Sequence, residues 1–180
     1  MIISRAFRSA VMAALLITGM EAQATGLTKI FFSGYFSVSI PTESLDGATI
    51  FHSDGPGIKF SDGRHFAGAL ITRERESLGD EFELADYPLY LFGLKDTETL
   101  DQQEAEKFTR SLDELRASLG HPAFEQITIN DATVYFACAD RCEAIVVQHQ
   151  QDEHLLHITS RGFSQSDLIA ILQGGNDAIK

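Results

Sequence analysis

Three Asp-Gly dipeptides, spaced eight residues apart, constrain the fold of this 180-residue chain more than any other feature. They are Asp46-Gly47, Asp54-Gly55 and Asp62-Gly63. Asp-Gly favours tight hairpin turns, because glycine adopts positive φ and aspartate hydrogen-bonds within the turn. The chain around these turns is predicted to form short strands at residues 35–40, 48–53, 57–61 and 65–72. We therefore expect the N-terminal half to be an antiparallel meander.

The middle of the chain carries the spacing of an amphipathic helix. Its apolar stripe consists of Ala105, Phe108, Leu112, Leu115 and Leu119. Thr99 with Gln102 resembles a capping box at the start, and Gly120 followed by Pro122 predicts the end. We expect Phe108 and Leu112 to be core residues. The apolar segment 87–94 is too short to assign, and both a helical turn and a strand remain open.

The last third of the chain is predicted to return to strands and to close with a helix. The strands are predicted at residues 124–129, 132–138, 142–149 and 155–160. Residues 134–138 and 144–147 are apolar on both faces, so the sheet requires cover on both sides. A helix at 165–173 follows, with Ser164 as its cap and Gly174 as its stop. The predicted fold class is α+β: one antiparallel sheet of two meanders, packed by a central and a C-terminal helix.

This order of elements resembles the PsbP/Mog1-like fold family. The residues that carry the resemblance are 34–41, with the sequence GYFSVSIP, and 155–172 near the end. The resemblance implies an antiparallel sheet between helical layers and a mostly non-enzymatic protein that acts by binding partners. It assigns no functional residue to this chain, and the cysteine hairpin described below has no place in the family pattern.

The first 24 residues have the order of a secretory signal peptide. Arg5 and Arg8 precede an apolar stretch at residues 10–20, and Ala22-Gln23-Ala24 forms a small-x-small cleavage site. We expect cleavage after Ala24, a mature single domain at residues 25–180, and export, with the periplasm as the predicted location. The residue directly after the cleavage site is Thr25 and not a cysteine, so a lipoprotein anchor is not expected.

The formal net charge is −12, and it is concentrated. Eleven acids lie between Glu74 and Glu106, opposed there only by Arg75 and Lys95. Such a surface disfavours nucleic acid, whose phosphates require lysine and arginine, and favours a basic protein partner. The candidate docking face consists of Glu98, Asp101, Glu104 and Glu106. The alternative is a solvated, solubilising face. No apolar run after residue 24 is long enough to insert into a membrane.

Two cysteines and two histidines are the remaining candidates for chemistry. Cys138 and Cys142 flank a three-residue loop between apolar strands, so they are predicted to face each other and form a structural disulfide. His149 and His154 bracket a polar turn that contains Asp152. Two imidazoles and a carboxylate can hold a transition metal, but this spacing matches no known signature. The alternative for this turn is a polar hairpin tip.

No catalytic signature is present. The sequence lacks a G-x-S-x-G elbow, an H-E-x-x-H motif and a P-loop. The favoured hypothesis is a soluble, non-enzymatic protein that binds another protein, as an inhibitor or immunity protein does, without a cofactor. The alternatives are a small secreted hydrolase with a non-standard site and a metal or small-ligand binder. The sequence leaves the oligomeric state open.

Overall fold

A computed structural model describes residues 26–52, 54–151 and 153–175. Within them lie nine strands: β1 (Leu27–Phe31), β2 (Ser37–Pro41), β3 (Thr49–His52), β4 (Pro56–Lys59), β5 (His65–Ile71), β6 (Glu125–Ile129), β7 (Ala132–Cys138), β8 (Arg141–Gln148) and β9 (Leu155–Arg161). The same residues form three α-helices: α1 (Tyr87–Leu91), α2 (Gln102–Leu119) and α3 (Gln165–Gly175). The predicted signal peptide, residues 1–24, lies outside the described residues.

Seven strands form one antiparallel sheet in the order β3-β4-β5-β9-β8-β7-β6. The first meander is β3-β4-β5 and the second is β6-β7-β8-β9. The two meanders join where β5 pairs with β9, from His65 opposite Arg161 to Ile71 opposite Leu155. The predicted fold class, α+β with an antiparallel sheet of two meanders and two packing helices, is confirmed.

The strand predicted at residues 35–40 is present as β2, but its placement in the first meander was wrong. β2 pairs with β1, a strand that the sequence pattern did not reveal, and the two form a separate hairpin. The alternating residues Phe36, Val38 and Ile40 are buried. Alternation shows that a strand has one buried face, and it does not show which strand lies alongside.

Both faces of the seven-stranded sheet are covered, as the apolar strands required. The β1–β2 hairpin and α3 pack on the face that carries Leu156 and Ile158, which we call the hairpin face. α1, α2 and the segment before them pack on the opposite face, which carries Leu155 and Ile145 and which we call the helix face. Successive strand residues point to opposite faces, so each of these strands contributes to both cores.

Helix α2 starts and packs somewhat differently from the prediction. Its N-cap is Asp101, whose carboxylate accepts a hydrogen bond from the Glu104 N–H at 2.9 Å, so the predicted Thr99 cap was wrong. Gly120 ends the helix in the left-handed region with φ 72°, as predicted. Phe108 is fully buried, whereas Leu112 is only half-buried. Leu112 lies beside Gly93, which has no side chain to cover it.

The two shorter helices, α1 and α3, correspond to the unassigned apolar segment and to the predicted C-terminal helix. The ambiguous apolar segment forms α1, with Pro88 in its first turn, where a missing N–H is tolerated. Ser164 caps α3: its hydroxyl accepts a hydrogen bond from the Asp167 N–H, and the Asp167 carboxylate accepts one from the Ser164 N–H. The predicted stop at Gly174 was wrong, because the helix continues to Gly175.

Candidate functional site

A cavity of about 470 Å³ opens beside the N-terminal end of α2. We call it the acidic cleft. Its lining residues are Gly79, Asp80, Glu81, Phe82, Glu83, Asp86, Tyr90, Thr99, Leu100, Asp101 and Glu104. Six of them are acids, and the aromatic side chains of Phe82 and Tyr90 are buried. The acidic cleft therefore combines a carboxylate rim with an aromatic base.

Contacts behind the acidic cleft fix its base. The Phe108 ring lies 5.6 Å from the Phe82 ring and 5.4 Å from the Tyr90 ring, measured between centroids. The Tyr90 hydroxyl hydrogen-bonds the Thr99 hydroxyl at 3.2 Å. Packing with native density holds such rings in one arrangement. The base of the cleft is thus part of the helix-face core.

The rim is fixed by the start of α2. The Glu104 carboxylate accepts a hydrogen bond from the Gly79 N–H at 3.0 Å, which ties α2 to the loop that carries Asp80 and Glu81. Asp101 is the N-cap of the same helix. Two chain segments that are distant in sequence therefore place their carboxylates around one opening.

Most of the negative charge in the acidic cleft is uncompensated. Asp80, Glu81 and Glu83 are exposed and make no side-chain hydrogen bond or ion pair with any residue in the described part of the chain. Asp86 is paired with Lys95, and hydrogen bonds to Asp86 and to Tyr90 raise the pKa of the Lys95 ammonium. Carboxylates beside aromatic faces attract ammonium and guanidinium groups. The cleft is chemically suited to a cationic side chain.

The structure divides the predicted docking residues into two groups. Asp101 and Glu104 line the acidic cleft. Glu98 is exposed outside it, and Glu106 accepts a hydrogen bond from Gln102 on the outer surface of α2. The sequence interpretation did not single out Asp80, Glu81 and Glu83. The alternation of Glu81 and Glu83 with the buried Phe82 and Leu84 was the signal that these two acids share one exposed side.

The predicted disulfide is present. Cys138 and Cys142 are directly opposite in the β7–β8 pairing, with sulfurs 2.05 Å apart and Cα atoms 4.1 Å apart. Cys142 is fully buried in the hairpin-face core. The cross-link closes the hairpin next to Arg141, the first residue of β8.

The two histidines considered as metal ligands contact different residues. The His149 ring nitrogen Nε2 lies 3.0 Å from the Thr133 hydroxyl. The His154 ring stacks on the Tyr35 ring, with centroids 4.6 Å apart. Asp152 lies outside the described residues. Within the described ranges, no group of three or more histidine, cysteine, aspartate or glutamate side chains is arranged to hold a metal ion.

A buried carboxylate on the helix face was missed by the sequence interpretation. Glu143 is 6% exposed, and its two oxygens contact the Arg141 guanidinium at 3.2 Å and His157 Nε2 at 2.7 Å. Arg141 also donates to the Ser118 hydroxyl at 2.9 Å. A buried charge requires such partners. A glutamate inside a strand that is apolar on both faces was the signal for this cluster.

No protein-family model matches the chain, and neither does any curated protein or solved structure. The resemblance to the PsbP/Mog1-like fold family therefore stays a prediction. Across the described residues, no helix is long and apolar enough to cross a membrane.

Proposed function

We propose that this chain is an exported protein that binds a basic protein partner through the acidic cleft, in the manner of an inhibitor or immunity protein. The observation that carries the proposal is the set of three unpaired carboxylates, Asp80, Glu81 and Glu83, beside an aromatic base. Exposed acids of one sign repel one another, and a cationic group from a partner relieves that repulsion.

The physical basis is charge-assisted hydrogen bonding combined with cation–π contact. A lysine or arginine of the partner would donate to the rim carboxylates, while its charged head lies beside the Phe82 ring; the Tyr90 ring already has the Lys95 ammonium 5.1 Å from its centroid. Complementary charge of this kind raises the association rate more than the affinity. Fast, salt-sensitive association is therefore the expected behaviour.

Export, with the periplasm as the location, belongs to the same proposal and has its own test. The order of basic, apolar and small residues in positions 1–24 supports cleavage after Ala24. N-terminal sequencing of the protein recovered from the cell envelope should begin at Thr25. Recovery from the envelope with Met1 intact would contradict the cleavage site.

The binding experiment starts with affinity capture of the tagged protein from its native envelope and identification of what is captured. The association rate is then measured by stopped flow with the purified pair. The cleft variant is Asp80→Lys, Glu81→Lys and Glu83→Lys. The matched control is Glu43→Lys, Asp113→Lys and Asp131→Lys, which changes the same amount of charge at exposed acids outside the acidic cleft.

We expect the cleft variant to associate at least about tenfold more slowly at low salt, and the control to change by less than about twofold. The difference should disappear at high salt, because screening removes the steering. Equal rates for the two variants would show that any effect depends on net charge alone. The acidic cleft would then be a solubilising surface, and the partner would bind elsewhere.

A further inference from the structure

Four basic residues occupy one cross-strand row on the helix face, which is unexpected in an acidic chain. In the strand pairing, Lys59 lies opposite His65, His65 opposite Arg161, and Arg161 opposite Arg141. Directly opposite residues have their Cβ atoms about 4.5–5.5 Å apart, so like charges there destabilise a sheet. We call these four residues the basic row. Folding alone gives no reason to align them.

A cavity of about 560 Å³ lies over this row, between the sheet and the C-terminal end of α2. Its lining combines the basic residues His65, Arg141 and Arg161 with two carboxylates, Asp140 and Glu143, and with Thr159 and the α2 terminus around Ser118. This volume is within the range of small-molecule sites. We call this cavity the basic cleft, and it is separate from the acidic cleft.

A small residue beside the basic row leaves room for an aromatic ring. Gly57 and Ala67 are paired in the next row on the same face. The Phe51 ring covers Gly57 so closely that a Cβ there would lie 2.2 Å from a ring carbon. The same ring stacks on His65, with centroids 5.2 Å apart and planes 10° from parallel. Phe51 therefore holds the His65 ring in place beside Arg161.

An unpaired guanidinium lies inside the row. Glu143 neutralises Arg141 and also contacts His157. The Arg161 side chain is exposed and makes no hydrogen bond or ion pair with any described residue. An oxyanion placed on Arg161 would therefore meet an unpaired guanidinium, with His65 on one side and Arg141 on the other. Guanidinium matches the geometry of carboxylate and phosphate with two parallel hydrogen bonds.

The opposite end of the basic cleft has the reverse preference. The last carbonyls of a helix lack partners within the helix, and α2 ends here at Leu119. Those carbonyls and the carboxylates of Asp140 and Glu143 favour hydrogen-bond donors rather than a second anionic group. The basic cleft is thus polarised, with an anion-binding end at Arg161 and an acceptor-rich end at α2.

We propose that the basic cleft binds a small organic oxyanion, a carboxylate or phosphate whose far end carries hydroxyl groups. The oxyanion is held by Arg161 with His65 and Arg141, and the hydroxyl groups donate to the α2 terminus. This site does not depend on the protein partner proposed above.

Isothermal titration calorimetry of the full chain tests the proposal with glucose 6-phosphate as the probe and with glucose and inorganic phosphate as comparisons. We expect glucose 6-phosphate to bind more tightly than either. Arg161→Gln should weaken binding by about tenfold or more, since tenfold corresponds to about 1.4 kcal/mol. Arg110→Gln, an exposed site on α2 outside the basic cleft, should leave binding unchanged.

Thermal denaturation provides the second readout. Because Arg161 faces two basic neighbours, Arg161→Gln should not lower Tm, although it should reduce the rise in Tm that a given ligand concentration produces. The cleft variant at Asp80, Glu81 and Glu83 should keep that rise, which separates the two sites. Equal binding by glucose, equal binding by inorganic phosphate, or equal loss in Arg110→Gln would each overturn the proposal. So would no binding of any probe at millimolar concentration.

Discussion

The two faces of the sheet are covered in different ways. On the hairpin face, the β1–β2 hairpin and α3 enclose a core that includes Phe66 and Ile158, both fully buried. The buried hydroxyls of Ser37 and Ser160 have no hydrogen-bond partner among the residues that the structure describes. The helix face contains a second core, centred on Phe108, together with the buried charge of Glu143. The acidic cleft and the basic cleft both lie on the helix-face side.

This difference follows from how far the cover extends. α1 and α2 pack over the part of the helix face that carries Tyr135 and Ile145. Beyond the end of α2, small and polar residues such as Ala67 and Thr159 remain partly exposed. The cavity between α3 and the β1–β2 hairpin on the opposite side has a mainly apolar lining. The hairpin face therefore mainly stabilises the fold, whereas the helix face combines stability with candidate binding sites.

Truncation of one central phenylalanine on each face of the sheet tests the difference between the faces, and it should cause the largest loss of stability. Phe66→Ala and Phe108→Ala each remove a fully buried ring, so each should lower the free energy of unfolding by about 3–5 kcal/mol. Urea denaturation measures both. Only Phe108→Ala should also disturb the acidic cleft, because the Phe108 ring contacts Phe82 and Tyr90.

Partner binding by the folded fraction separates the two variants. Phe66→Ala should bind with the wild-type association rate, and Phe108→Ala should bind more slowly. Phe108→Leu keeps an apolar group there and serves as the milder control if the alanine variant does not fold. A surface-like loss below about 0.5 kcal/mol at Phe108 would contradict its position in the core.

Removal of the disulfide has a smaller expected effect. Cys138→Ala with Cys142→Ala opens a short hairpin loop, and the chain-entropy estimate for so few residues is about 2 kcal/mol or less. The double variant should therefore stay folded, as judged by far-UV circular dichroism. Alkylation of both cysteines in the native, non-reduced protein would show that the cross-link is absent. Because Arg141 lies inside the short loop that the disulfide closes, the double variant should also weaken oxyanion binding in the basic cleft.

The strand pattern allowed most of the sheet to be predicted. Asp-Gly turns and alternating residues located β3, β4 and β5, and the residues that are apolar on both faces of β7 and β8 predicted cover on both sides. β1 was missed because its residues are mostly half-exposed and show no clean alternation. Pairing of β2 with β1 is a tertiary choice that the local pattern of β2 does not contain.

The candidate sites were less accessible to sequence reasoning. The acidic segment was visible, but the docking residues chosen from it included Glu98 and Glu106, which lie outside the acidic cleft. The periodicity of a sequence predicts which residues share a helix face. It does not predict that the loop with Asp80 and Glu81 packs against the start of α2. The basic row was invisible for the same reason, because Arg141 and Arg161 become neighbours only through strand pairing.

Loss of the α3 cap should have an effect of about 1 kcal/mol. Ser164→Ala removes the hydroxyl that accepts from the Asp167 N–H, so unfolding in urea should become easier by about that amount. Ser164→Thr keeps a hydroxyl and should restore most of the loss. Because α3 covers the hairpin face, this variant should leave the acidic cleft and its partner association unchanged.

The same cap predicts a pH dependence. Hydrogen bonds from the Ser164 hydroxyl and then from its N–H lower the pKa of Asp167 below its ordinary value. A carboxyl whose pKa is lower in the folded state stabilises the protein above its unfolded pKa, and this contribution is lost as the pH falls through the folded pKa. The stability difference between wild type and Asp167→Asn should therefore be full at neutral pH and should shrink in acid. A constant difference across this range would show that ionisation of Asp167 does not stabilise the start of α3.

The smallest expected change in stability is that of the triple variant in the acidic cleft, which tests whether its rim serves binding or folding. Asp80→Lys, Glu81→Lys and Glu83→Lys change exposed side chains without partners among the described residues, so the free energy of unfolding should change by less than about 0.5 kcal/mol. Reversal of Asp101 is different, because that carboxylate caps α2, and its loss should cost about 1 kcal/mol.

The triple variant is informative for that reason. If it melts like the wild type and still loses partner association, the rim carboxylates serve binding and contribute little to folding. If it instead loses stability comparable to the Asp101 variant, the rim is part of the folded scaffold. The helix face would then resemble the hairpin face, and the contrast between the two would rest on the basic row alone.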